Sequence, residues 1–165
     1  MSKRFMLSAA GVSAAAIGAS ASAAILQFHY DPYAGEAGWS VSDSDGNVVA
    51  SMGYIASGAS GSAFVSSAWG YWNGSSNFSG YIGLYNLDLA AGDYSITLTD
   101  TWGDGWSAVG YGYPVDGSDA FVYGSYTLAF TTGSSVTGSF TVVPAPGALA
   151  LLGLAGLAGT RRRRA

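Results

Sequence analysis

Apolar and polar residues alternate with a period of two along much of the middle of the chain. Trp39 and Val41 share one face with Ser40 and Ser42 opposite, and Val48, Ala50 and Met52 resume the pattern after Ser44-Asp45-Gly46-Asn47. Tyr81, Tyr85, Leu87 and Leu89 face one way, and Tyr94, Ile96 and Leu98 alternate with Ser95, Thr97 and Thr99. Tyr126, Leu128 and Phe130 make a further face, as do Val136, Phe140 and Val142, and residues 25–30 add an early strand. Successive side chains of a strand point to opposite faces of the sheet, so each run predicts a half-buried strand. No stretch of this region keeps a helical period. Seven or eight short strands separated by Gly, Asp and Asn turns predict an all-β fold, an antiparallel β-sandwich that is jelly-roll-like. Residues 57–80, rich in Gly, Ser and Asn around Trp69, Tyr71 and Trp72, predict a long loop with one irregular strand.

Charge divides the chain into three parts. The six cations are Lys3, Arg4 and Arg161 to Arg164, whereas all ten carboxylates lie between Asp31 and Asp119. A body of this sign repels nucleic acid and anionic membrane surfaces, which excludes both as partners, and it attracts divalent cations. Residues 24–142 suffice for one domain with a real core, and with no cysteine it must rely on packing or on metal.

The two ends read as targeting segments. Lys3 and Arg4 precede an apolar, small-residue stretch from Phe5 to Ile17, and Ala21-Ser22-Ala23 offers a small-x-small cleavage site. Residues 1–23 are therefore expected to be a signal peptide, with the mature chain beginning near Ala24. At the other end, Pro144 and Pro146 break any strand and can open a helix. A Leu/Ala/Gly run over 148–159 follows, and then Thr160 and Arg161, Arg162, Arg163 and Arg164. The expectation is a hydrophobic transmembrane helix in the inner membrane, its arginines cytoplasmic and the β domain outside.

The Pro-x-Pro motif, the Leu/Ala/Gly helix and the terminal Arg cluster together resemble the PEP-CTERM sorting signal of Gram-negative bacteria, over residues 143–165. That resemblance implies retention at the inner membrane, action by an exosortase-type processing enzyme, and delivery to the cell surface or to an exopolysaccharide matrix. The chain departs from the family at Ala145, where a glutamate usually stands between the prolines.

The most distinctive string of the body is Asp100-Thr101-Trp102-Gly103-Asp104-Gly105-Trp106. With residues 39–49, the Ala91-Gly92-Asp93-Tyr94 turn and Gly124 to Leu128, it resembles secreted β modules carrying a "DsyGDGW" signature. Residues 57–80 and 109–120 fall outside that pattern. The resemblance implies a fold and an exported setting more than an activity. Physically, Gly103 and Gly105 let the chain fold tightly around a point. Asp100 and Asp104 then either aim carboxylates at a Ca²⁺ ion, which takes oxygen ligands only, or bond neighbouring backbone N–H groups in a plain turn. Asp43 to Asn47 is no EF-hand: its glycine is at the fourth loop position and Tyr54 stands where the bidentate glutamate belongs. Asp-Gly between two alternating runs predicts a hairpin.

Trp69, Trp72, Trp102 and Trp106 are candidate platforms for sugar rings, the other reading being ordinary core packing. Catalysis finds little support, because the body offers no lysine, arginine or cysteine. Its one histidine, His29, lies on the early strand without a Gly-x-Ser-x-Gly elbow. Glu36 is the sole glutamate, and nothing in the sequence places a second acid opposite it. The chain thus reads as an exported, non-catalytic binding or structural module, with a small secreted glycan hydrolase as the alternative.

Overall fold

The computed structural model describes residues 22–72 and 80–143. Ten strands occur among them: β1 (Ser22–Tyr30), β2 (Ala37–Ser42), β3 (Val48–Met52), β4 (Ala59–Ser60), β5 (Phe64–Trp72), β6 (Gly80–Leu89), β7 (Gly92–Asp100), β8 (Phe121–Tyr123), β9 (Tyr126–Leu128) and β10 (Ser135–Val142). They form two five-stranded antiparallel sheets, in the orders β5-β6-β1-β8-β9 and β10-β7-β2-β3-β4.

The period-two pattern explains which faces meet. Ala24, Leu26, Phe28 and Tyr30 of β1 are buried on the same side as Tyr85, Leu87 and Leu89 of β6. The second sheet contributes Trp39 and Val41 of β2, Ile96 and Leu98 of β7, and Phe140 and Val142 of β10. The Phe28 and Trp39 rings lie 4.9 Å apart across the sheets, and Phe121 and Phe140 5.6 Å apart. Tyr85 Oη donates to Met52 Sδ at 3.1 Å. The sheets thus share one aromatic core in a sandwich-like arrangement. Truncating a buried Phe or Trp in such a core costs about 3–5 kcal/mol.

Two segments depart from the alternation reading. Residues 57–80, expected as a long loop with one irregular strand, contain the nine-residue strand β5, paired to β6 with a register shift between Phe64 and Ser66. β5 is a sheet edge whose Val65, Trp69 and Tyr71 remain 55%, 42% and 73% exposed, so burial imposes no two-residue code on it. β8 is too short to show a period, yet it fills the place between β1 and β9. Phe130 is buried as expected, but it lies beyond the end of β9.

β1 begins at Ser22, two residues before Ala24. The expected apolar signal stretch and the tail with Pro144, Pro146 and Arg161 to Arg164 lie outside the described residues. Among the described residues no helix is long and apolar enough to cross a membrane.

Candidate functional site

The site forms where β1 and β7 run out on the same end of the molecule. After β1 the chain turns through residues 31–36: Asp31 Oδ1 accepts from the Tyr33 N–H at 2.9 Å, and the Glu36 N–H donates to the Tyr33 carbonyl at 3.0 Å. After β7 comes the Asp100–Trp106 loop. The Gly103 N–H donates to Asp100 Oδ1 at 2.6 Å, and the Trp106 N–H donates to the Phe130 carbonyl at 2.8 Å. Gly105 has φ +81°, and a Cβ there would stand 2.5 Å from the Thr132 nitrogen, so only glycine lets the loop lie against the 130–132 backbone.

Strand pairing brings the two turns together. β2 and β7 are antiparallel neighbours with Ala37 opposite Asp100. Thr101 donates to the Glu36 carbonyl through both its N–H, at 3.2 Å, and its Oγ1, at 2.8 Å. Oxygens of Glu36, Asp100 and Asp104 consequently converge within 4.8 Å of one another. The sequence alone places no second acid opposite Glu36; the fold brings two beside it. Asp100 is 3% exposed, and its Oδ2 and the Asp104 Oδ1 are buried without a hydrogen-bond partner. Burial pushes the Glu36 carboxyl up to about 7, and the charges of Asp100, Asp31 and Asp104 act in the same direction. Burial likewise raises Asp31 to about 6, against the lowering effect of its bond from Tyr33. Asp100 is also held above the usual carboxylate range by burial, with the Gly103 N–H opposing. Desolvation and like charge both disfavour the ionised form.

Aromatic rings surround these acids. A cleft of about 720 Å³ is lined by Tyr33, Glu36, Thr101, Trp102, Asp104 and Tyr111. Trp102 is 84% exposed, and Tyr33 and Tyr111 meet edge to face with centroids 5.6 Å apart. Gly35 also lines a second cleft of about 430 Å³, which carries Trp69, Tyr71 and Tyr81. Trp69 stacks on Tyr30 at 5.9 Å and keeps part of its ring in solvent.

The structure separates the four candidate tryptophans. Trp102 and Trp69 present surface. Trp106 does not, which corrects its reading as a platform: it is 0% exposed, 4.8 Å from Tyr30 and 5.8 Å from Phe130, and its Nε1 donates to the Thr99 carbonyl. Trp72 ends β5 opposite Gly80, and its side chain lies outside the described residues. His29 is remote in role, with Nδ1 2.8 Å from Asp119 Oδ2. At the β2–β3 turn Asp43 is fully engaged, accepting from the Asp45 and Asn47 N–H groups and from Asn47 Nδ2, as a hairpin turn requires. Sequence reasoning missed Asp31, Tyr33 and Tyr111. In comparisons with family models, curated proteins and solved structures, the chain matches none.

Proposed function

We propose that the body is a non-catalytic glycan-binding module with a jelly-roll-like sandwich, exported by residues 1–23 and sorted by residues 143–165. In this reading the tail holds the protein at the inner membrane, an exosortase-type enzyme acts on it, and the module then meets exopolysaccharide at the cell surface. The single observation that carries the binding function is the exposure of Trp102 in a cleft shared with Tyr33 and Tyr111. A flat apolar ring beside carboxylate acceptors matches a sugar, which has one apolar face and a rim of hydroxyl donors. With ten carboxylates and no Lys or Arg between Phe5 and Thr160, the body favours neutral over acidic polysaccharides.

The test is binding of the full chain to a panel of neutral and acidic polysaccharides. Trp102→Ala should weaken binding at least about tenfold, or ~1.4 kcal/mol, while leaving the melting temperature unchanged. Equal binding by the variant would overturn the reading. The hydrolase alternative gains one specific support, the close approach of Glu36 to Asp100 and Asp104, since retaining glycosidases hold two carboxyl groups about 5–5.5 Å apart. Release of reducing ends from a bound glycan, lost in Glu36→Gln, would favour it. Membrane fractionation of a chain with Arg161 to Arg164 replaced by serine tests the tail separately. Loss of membrane retention supports the sorting role, and unchanged retention counts against it.

A further inference from the structure

We propose that Glu36, Asp100 and Asp104 form a binding site for a hard divalent cation, calcium ahead of magnesium, that ties the 31–36 turn to the Asp100–Trp106 loop. The site does not depend on the glycan reading. Sequence points only to the two aspartates of one loop; the third carboxylate, from a separate turn, makes the set chelating.

Four observations carry the assignment. The donor set is oxygen alone, which suits calcium or magnesium and not the nitrogen- and sulfur-preferring transition metals. The oxygens lie within 4.8 Å of one another. With Ca–O distances of 2.3–2.6 Å, a single calcium ion reaches oxygens up to about 5 Å apart, and three carboxylates suit it better than magnesium, which keeps most of its waters and takes one or two. Asp100, almost wholly buried, leaves its Oδ2 with no hydrogen-bond donor, and the buried Asp104 Oδ1 lacks one too. A carboxylate withdrawn from water with an idle oxygen is unfavourable unless a positive charge answers it. Finally, the chain offers no lysine or arginine from Phe5 to Thr160 to supply that charge.

Three carboxylates leave the rest of a six- to eight-oxygen shell to water and backbone carbonyls. Such a shell belongs with the weak sites of extracellular modules, whose Kd values are on the order of 10⁻⁴–10⁻³ M. The module would therefore be tightened at extracellular calcium levels and loosened where calcium is scarce.

The experiment uses the full chain with TbCl₃ and CaCl₂ as probes. Tb³⁺ bound beside Trp102 should emit when tryptophan is excited, and Ca²⁺ should quench that emission by displacement. CaCl₂ should also raise the melting temperature, more than MgCl₂ and more than NaCl at matched ionic strength. Glu36→Gln should weaken Ca²⁺ binding about tenfold or more, because calcium affinity follows the count of charged ligands. In EDTA the same variant should melt higher than the parent, since it removes one member of a repelling cluster. A residue with a merely structural role would not show both effects. Asp104→Asn is the second variant should Glu36→Gln fold poorly, and Asp43→Asn, at the remote hairpin, should leave the response intact. Parent-like calcium binding in Glu36→Gln, or a NaCl response equal to that of CaCl₂, overturns the proposal.

Discussion

The Asp43–Asn47 turn and the Asp100–Trp106 loop are written in similar residues: each opens with an aspartate and passes through a glycine at positive φ, +84° at Gly46 and +81° at Gly105. Their electrostatics are opposite. Asp43 sits in water, accepts from the N–H groups of its own turn and from Asn47, and its carboxyl is held below the usual range by those bonds. Asp100 is pressed under the sandwich end, keeps one oxygen idle, and its carboxyl is raised by burial. Gly46 has open space where a Cβ would go, whereas Gly105 is walled in by the backbone at Thr132. Both strings thus make turns around a leading aspartate and a glycine at positive φ. What the aspartate then does depends on what packs against the turn.

The largest test of this contrast is steric. Gly105→Ala combines positive φ with a Cβ 2.5 Å from backbone, and should destabilise by roughly 3 kcal/mol or more. Gly46→Ala has the same dihedral problem without the clash and should cost about 1–2 kcal/mol. Denaturant unfolding of both variants measures the difference. Equal losses would mean that the surroundings of the second loop contribute nothing.

A smaller effect is expected from pH. Glu36 and Asp31 titrate at about 7 and about 6 in the folded chain, above their ordinary 4.5 and 3.8. The folded state therefore holds protons more tightly than the unfolded one, and this contribution is complete below about pH 4 and lost as pH rises through about 7. Asp43 behaves the other way: its lowered carboxyl contributes stability above 3.8 that disappears as pH falls through its folded value. In EDTA, melting temperature should accordingly decline from pH 5 to pH 8. Asp43→Asn should flatten only the acid limb, by an amount at the lower limit of measurement for so exposed a turn. A melting temperature that rises steadily to pH 8 in EDTA would break the contrast.

Much of the fold was legible because burial on one face writes itself into every second residue of β2, β6, β7 and β10. β5 was legible only as one irregular strand without bounds, because an edge strand with both faces largely in solvent is under no such pressure, and Ser66, Ser67 and Gly70 look like loop. The site was half legible. Asp100 and Asp104 share a loop, so their proximity is local, but Glu36 reaches them only through the pairing of β2 with β7, which no local pattern encodes. Trp102 and Trp106 stand four positions apart in one glycine-rich loop. Which of them turns inward is decided by Phe130 and the Thr99 carbonyl, residues outside the motif.

The position of β1 carries a consequence for how the chain acquires its shape. As the central strand of its sheet, it lies between β6 and β8, pairing with Leu89 through Tyr81 on one side and with Phe121 and Val122 on the other. Early in synthesis, β1 has neither neighbour to pair with. Its strand partners lie far along the chain, Tyr81 being 51 residues beyond Tyr30 and Phe121 93 beyond Phe28, so this sheet does not form from front to back. Closure of such distant pairs is slow, on the order of milliseconds to seconds for all-β domains. The sheet around β1 therefore closes late, once the strands up to β8 have been made.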